Sequence, residues 1–195
     1  MFNSKNIEVA NIVASGKFDV ELDLAAVAQD LRKLDDWISE VEHSRRKGNR
    51  LLIYFVDNDA LCILAPSGVY VFNGIDTYEE IEDANEKLLK SLSHLGIISS
   101  RNPSEAEVVE ELSIRNIVCT ADLGREVNLN AVSIGLGFEN IEYEPEQFPG
   151  LVYKPQDQNC TILIFSTGKI VIMGVQNERS AREAFELITS ELEEI

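Results

Sequence analysis

Asn140-Ile141-Glu142-Tyr143-Glu144-Pro145-Glu146-Gln147-Phe148-Pro149-Gly150-Leu151-Val152-Tyr153-Lys154 is followed shortly by Ile162-Leu163-Ile164-Phe165-Ser166-Thr167-Gly168-Lys169-Ile170-Val171. Two apolar runs of strand character flank an acidic loop bearing Pro145 and Pro149. Fixed backbone at both prolines holds Phe148 out at a turn, and Phe165 closes the next run. An exposed phenylalanine forgoes burial unless something outside the fold covers it, so two in one unit predict a contact surface.

The same pattern occurs twice. Ala60 to Gly74 lies against Cys160 to Gly174 at a constant offset of 100, and Ala84, Leu88 and Leu92 fall opposite Ala184, Ile188 and Leu192. Upstream, Asn11-Ile12-Val13 matches Asn116-Ile117-Val118 at an offset of 105, so the first copy holds five extra residues between Leu31 and Gly48. Internal periodicity of this length marks a tandem repeat. The repeats are expected at residues 1–98 and 105–195, joined near Ile98 to Ser104.

Each copy predicts a strand (Ile7 to Val13, Ser113 to Cys119), a short helix (Leu24 to Leu34, Leu129 to Leu136) and then a run of strands. In the first copy these are Trp37 to Glu42, Leu51 to Val56, Ala60 to Ala65 and Val69 to Phe72. In the second they are Asn140 to Tyr143, Leu151 to Lys154, Cys160 to Phe165 and Lys169 to Ile172. Apolar stripes at Tyr78, Ile81, Ala84, Leu88, Leu92 and Leu95, and at Ala181, Ala184, Phe185, Ile188, Leu192 and Ile195, predict amphipathic closing helices. The fold class is α+β: antiparallel sheet with helices on one face and the other face free. Two copies side by side would form one long surface with pseudo-twofold symmetry, suited to duplex DNA.

At 195 residues the chain can bury a core without staples. Cys62, Cys119 and Cys160 sit in apolar runs without metal spacing and read as buried free thiols. No run reaches the roughly 18 apolar residues of a membrane span, and Met1-Phe2-Asn3-Ser4-Lys5 opens no signal peptide, so a cytoplasmic location is expected. A formal net charge of −17 by itself argues against nucleic-acid binding, unless the basic residues cluster on one face. His43 and His94 are isolated and give no catalytic signal. Trp37 reads as a packing residue between helix and strand.

Asn116-Ile117-Val118, Glu142 to Lys154 and Leu163 to Val171 resemble the second repeat of the TATA-box-binding protein family, most closely its archaeal form. That family is itself the standard illustration of a minor-groove sheet reader whose apolar wedges kink DNA. The resemblance covers both repeats and implies a saddle: ten strands in one curved sheet, its concave side on the minor groove, with four helices on the convex side. It further implies that Asn11 and Asn116 hydrogen-bond groove acceptors, and that Val13, Val71, Val118 and Val171 press on the groove floor. Phe148 and Phe165 would wedge between bases, Lys154 and Lys169 would meet phosphates, and Glu144 and Glu146 would hold a B-type initiation factor. No cofactor is implied.

The first repeat departs from the family. Gly48 stands opposite Phe148, Ala65 opposite Phe165, Val69 opposite Lys169, and Asn73 faces Met173 where the family usually has threonine. His43-Ser44-Arg45-Arg46-Lys47-Gly48-Asn49-Arg50 replaces the acidic loop, and Arg45, Arg46, Lys47 and Arg50 become possible phosphate contacts.

Simpler readings stand beside these. Phe165 alone reads as core, Asn11 and Asn116 equally as turn amides, the basic loop as a solvated tip, and Glu144 and Glu146 as surface acids. The expected function is a general transcription initiation factor that binds and bends promoter DNA and recruits the B-type factor. The alternatives are a non-DNA-binding adaptor acting through the acidic loop, and an enzyme or small-ligand pocket between sheet and helices, against which the lack of convergent polar residues in the sequence speaks. Self-association through the uncovered face is a further expectation.

Overall fold

The computed structural model describes residues 7–34, 36–45, 48–98 and 108–195. The expectations for Met1 to Lys5, Arg46, Lys47 and the joint beyond Ile98 lie outside the described residues.

The chain divides into two compact units, Asn11–Arg115 and Asn116–Ile195, the latter together with the segment ending at Ala10. The first repeat runs β1 (Glu8–Phe18), α1 (Leu24–Leu34), β2 (Ile38–Ser44), β3 (Arg50–Phe55), β4 (Leu61–Leu64), β5 (Val69–Ile75) and α2 (Tyr78–His94). The second runs β6 (Val108–Asp122), α3 (Leu129–Gly135), β7 (Ile141–Glu142), β8 (Leu151–Tyr153), β9 (Thr161–Ile164), β10 (Lys169–Val175) and α4 (Glu178–Glu193). Strand order is β2-β3-β4-β5-β1 in the first and β6-β10-β9-β8-β7 in the second, with the pairings antiparallel.

β1 extends to Phe18, beyond the expected end at Val13. Ala14, Gly16 and Phe18 are buried while Ser15 and Lys17 on the other face are half-buried, so the two-residue period continues. Small and polar side chains disguised it. β7 is only two residues long, and the chain leaves the ladder before Pro145, which has no N–H to donate.

The helices show where most of the first repeat's extra length lies. α1 and α3 begin at Leu24 and Leu129, an offset of 105, but end at Leu34 and Gly135, an offset of 101. Four of the five extra residues therefore add about one turn to α1.

Helix ends are capped by side chains. Thr77 Oγ1 accepts from Glu80 N (3.3 Å) and donates to Glu80 Oε2 (2.9 Å), while Asn177 Oδ1 accepts from Ser180 N (2.9 Å). Such caps contribute about 1 kcal/mol each.

In β1, β3, β4, β5, β8, β9 and β10 alternate residues, apart from the bulges, pack beneath the helices. In the first repeat Phe18 stacks on Tyr70 at 4.6 Å and Tyr70 meets Phe72 edge-on at 5.8 Å, next to the buried Ile81, Ala84, Leu88 and Leu92 of α2. Trp37 Nε1 donates to Ser91 Oγ of α2 (3.1 Å), a hydroxyl that is fully buried. In the second repeat Ala181, Ala184, Phe185, Ile188 and Leu192 of α4 fill the same layer, and Tyr153 OH donates to Glu191 Oε1 (3.0 Å). Cys62 and Cys119 are buried free thiols, but Cys160 is only half-buried, contrary to expectation. It lies immediately before β9, at the mouth of the ladder. No described helix is long and apolar enough to cross a membrane.

Candidate nucleic-acid interface

The strand faces opposite the helices carry Asn11, Val13, Val71, Asn116, Val118, Lys169 and Val171, and the loops and turns beside the strands carry Phe148, Lys154 and Phe165. In the first repeat one cross-strand row is Leu52, Ile63, Val71 and Ser15; the next is Tyr54, Leu61 and Asn73. In the second repeat Val152, Leu163, Val171 and Thr120 form the equivalent row, and Thr161 pairs with Met173. Register thus repeats residue for residue. Val13, Val71, Val118 and Val171 are half-buried on these faces.

The two asparagines have a local structural reason. In each repeat a bulge interrupts the ladder between the first and the last strand, between Ile12 and Ala14 in one and between Ile172 and Val175 in the other. It contains Gly74 (φ +85°) or Gly174 (φ +90°), conformations that glycine adopts without steric cost. The glycine N–H turns to a side chain: Gly74 N donates to Asn11 Oδ1 (2.9 Å) and Gly174 N to Asn116 Oδ1 (2.8 Å). With the carbonyl oxygen occupied by a donor, the amide orientation is fixed and NH2 is the other pole. The fold therefore uses these residues as bulge caps, and the same bond orients them as hydrogen-bond donors.

Phe148 is 38% exposed, and Phe165 is half-buried with its ring edge to face against Phe148, centroids 5.8 Å apart. Gly150 permits the approach: a Cβ there would sit 2.8 Å from Phe148 Cε1 and 3.0 Å from Phe165 Cε1. The acidic loop folds back on itself, with Gln147 N and Phe148 N both donating to Glu144 O (2.9 and 3.0 Å). Glu144 also accepts from the Gln147 side chain, and both Glu144 and Glu146 are exposed.

Lys154 and Lys169 are exposed and each is engaged by an acid, Lys154 by Glu142 (2.7 Å) and Lys169 by Asp122 (3.3 Å). The Gly124 N–H and then Lys169 hold the Asp122 carboxyl below its usual range. In the first repeat Tyr54, Leu61 and Val69 occupy the places of Lys154, Thr161 and Lys169, leaving that face more apolar. Arg45 and Arg50 are exposed at the β2–β3 tip, where His43 Nε2 meets Asn49 Oδ1 at 2.8 Å; Arg46 and Lys47 lie outside the described residues. Sequence reasoning did not assign Leu52, Tyr54, Leu61, Ile63, Val152 and Leu163 to the open face. The two-residue alternation, carried one strand outward from Val71 and Val171, was the signal.

A strand, a helix, four strands and a helix, repeated with the same bulge and the same amide, define a two-repeat α+β protein with one strand face of each repeat left free of helices. The model of the family described as "Transcription factor TFIID (or TATA-binding protein, TBP)" matches residues 6–95 and 111–195. The chain belongs to that transcription-factor family. It is 38% identical to TATA-box-binding protein C of Halobacterium salinarum, over 97% of this chain and 98% of that protein. It is 36% identical to the TATA-box-binding protein of Archaeoglobus fulgidus, over 95% and 94%. Among solved structures, Methanococcus jannaschii TBP matches with a TM-score of 0.78 at 33% identity, covering 97% of this chain and 99% of that one. The fold is the family's.

Proposed function

We propose that the chain is a general transcription initiation factor that binds A·T-rich promoter DNA in the minor groove and bends it mainly at one end. The observation that carries this reading is the pair Asn11 and Asn116, each held by a bulge glycine through Oδ1 with its NH2 as the opposite pole. Minor-groove edges of A·T pairs offer only acceptors, adenine N3 and thymine O2, which suit a fixed donor. Val13, Val71, Val118 and Val171 supply an apolar floor contact, and Phe148 with Phe165 supplies the wedge. Lys154 and Lys169 meet phosphates after leaving Glu142 and Asp122. Arg45 and Arg50, with Arg46 and Lys47 beside them, give the other end a sequence-independent electrostatic grip. Glu144 and Glu146 are presented to a B-type initiation factor, and the working location is the nucleoid.

A second reading is favoured by Gly48, Ala65 and Val69 in place of the wedge and lysine, together with the net charge of −17. It makes the chain an adaptor that holds initiation factors through the acidic loop without DNA, its apolar first-repeat face covered by a second copy. Fluorescence anisotropy of an A·T-rich duplex, with and without the B-type factor and at two salt concentrations, separates the two. Binding that weakens with salt and is lost in Asn116→Ala supports the first reading. A factor that associates while DNA does not supports the second, with Glu144→Arg and Glu146→Arg abolishing the association.

A further inference from the structure

The bulge caps differ between repeats in a way the family resemblance does not supply. Among the described residues Gly174 N donates to one side chain, Asn116. Gly74 N lies 2.9 Å from Asn11 Oδ1 and 2.8 Å from Asn73 Oδ1, so two carbonyl oxygens share one proton. Asn73 is exposed on β5, beside Leu61 in the register, and its counterpart is Met173, beside Thr161.

Redundancy changes what each repeat can present. Turning Asn116 would break its bond to Gly174 and set its NH2 against an N–H, donor against donor, so Asn116 is held as a donor. In the first repeat Asn11 keeps Gly74 satisfied and stays oriented as a donor, so Asn73 can turn without leaving the glycine N–H unpaired. The turned amide offers a carbonyl oxygen outward. G·C pairs differ from A·T pairs in the minor groove by the guanine N2 amino group, a donor. A fixed amide donor opposes that group, whereas a turned amide accepts from it.

Resting on the promoter-binding reading above, we propose that the two repeats read the groove by different rules. The Asn116 side requires acceptors only, and the Asn11 and Asn73 side accepts a purine with or without a minor-groove amino group. Asn73 is thus a specificity-determining residue that relaxes one half-site.

The test uses a self-complementary A·T-rich duplex in which the adenines next to the dyad are replaced by 2,6-diaminopurine, adding only the minor-groove amino group. Replacement is made in neither half, one half or both, with affinity read by anisotropy. One modified half should cost about twofold, because one of two equivalent headings is lost, and both halves about tenfold. In Asn73→Ala, with Asn11 left as the only cap, one modified half should already cost about tenfold. In Met173→Asn, which gives the second repeat the same redundancy, modification of both halves should be tolerated. Equal stepwise losses in the unsubstituted protein, or tolerance that survives Asn73→Ala, would overturn the inference while leaving promoter binding intact. Failure to bind the unmodified duplex would overturn the promoter reading and this inference with it.

Discussion

The rings of Phe148 and Phe165 meet edge to face, centroids 5.8 Å apart and planes at 66°, on a backbone that Gly150 keeps clear. Their contact with each other is worth about 0.5–1.5 kcal/mol, and the exposed part of Phe148 contributes little to folding. Phe148→Ala should therefore lower stability to urea by only about 1 kcal/mol. Its duplex affinity should fall by about tenfold or more, since an unstacked base step loses its cover. An equal loss of stability and affinity would make Phe148 a packing residue and not a wedge.

The turn that holds Phe165 is reproduced around Ala65. Phe165 N donates to Lys169 O (3.0 Å) and Gly168 N to Phe165 O (2.9 Å); Ala65 N donates to Val69 O (2.8 Å) and Gly68 N to Ala65 O (3.1 Å). Ala65→Phe should fold normally and restore an aromatic at the first repeat's tip. Energy transfer between dyes at the duplex ends should report a larger bend in this variant than in the parent.

On the promoter-binding reading proposed above, Lys169 exchanges Asp122 for phosphate and Lys154 exchanges Glu142. Exposed ion pairs of this kind are screened by water and stabilise little, so removing the acid frees the lysine at small cost. Asp122→Asn and Glu142→Gln should each raise duplex affinity a few-fold at low salt while leaving the thermal midpoint nearly unchanged. Lys169→Ala should reduce the magnitude of the log–log salt slope by about 0.9.

Alkaline pH should weaken the fold. Burial pushes the Tyr70 hydroxyl up from 10.0 to about 12, and Tyr153 likewise to about 12, with its hydrogen bond to Glu191 adding to the effect. Both phenols are more readily ionised when unfolded. Their stabilisation is complete below pH 10 and is lost as pH rises toward about 12. Lys87, raised chiefly by its hydrogen bond to Asp83, acts in the same direction. Urea midpoints measured across that window should decline, and the decline should be shallower in a variant carrying Tyr70→Phe and Tyr153→Phe.

Element order, the repeat and the helix stripes were legible because amphipathic alternation is a local signal. Leu88 and Leu92 against Ile188 and Leu192 needed no tertiary information. The bulges were not legible: nothing in Val71-Phe72-Asn73-Gly74 announces that its glycine N–H leaves the ladder for a side chain 63 positions away. The ion pairs at Lys154 and Lys169 were hidden for the same reason, since Glu142 and Asp122 become neighbours only through strand pairing. Cys160 appeared buried because an apolar run does not show where its strand begins. The length difference was correctly counted as five residues, but its main location in α1 required the helix ends.

Asn116 and Phe148 differ in what keeps them in the chain. Asn116 closes a backbone hydrogen bond, so losing it costs the fold about 1 kcal/mol whether or not DNA is ever bound. On the promoter-binding reading, Phe148 answers mainly to the duplex that covers it from outside. If selection for DNA contact slackens, drift should erase the exposed aromatic first and leave the asparagine standing as a structural inheritance. The first repeat has that form, with Gly48 and Ala65 at the tip and Asn11 still bonded to Gly74.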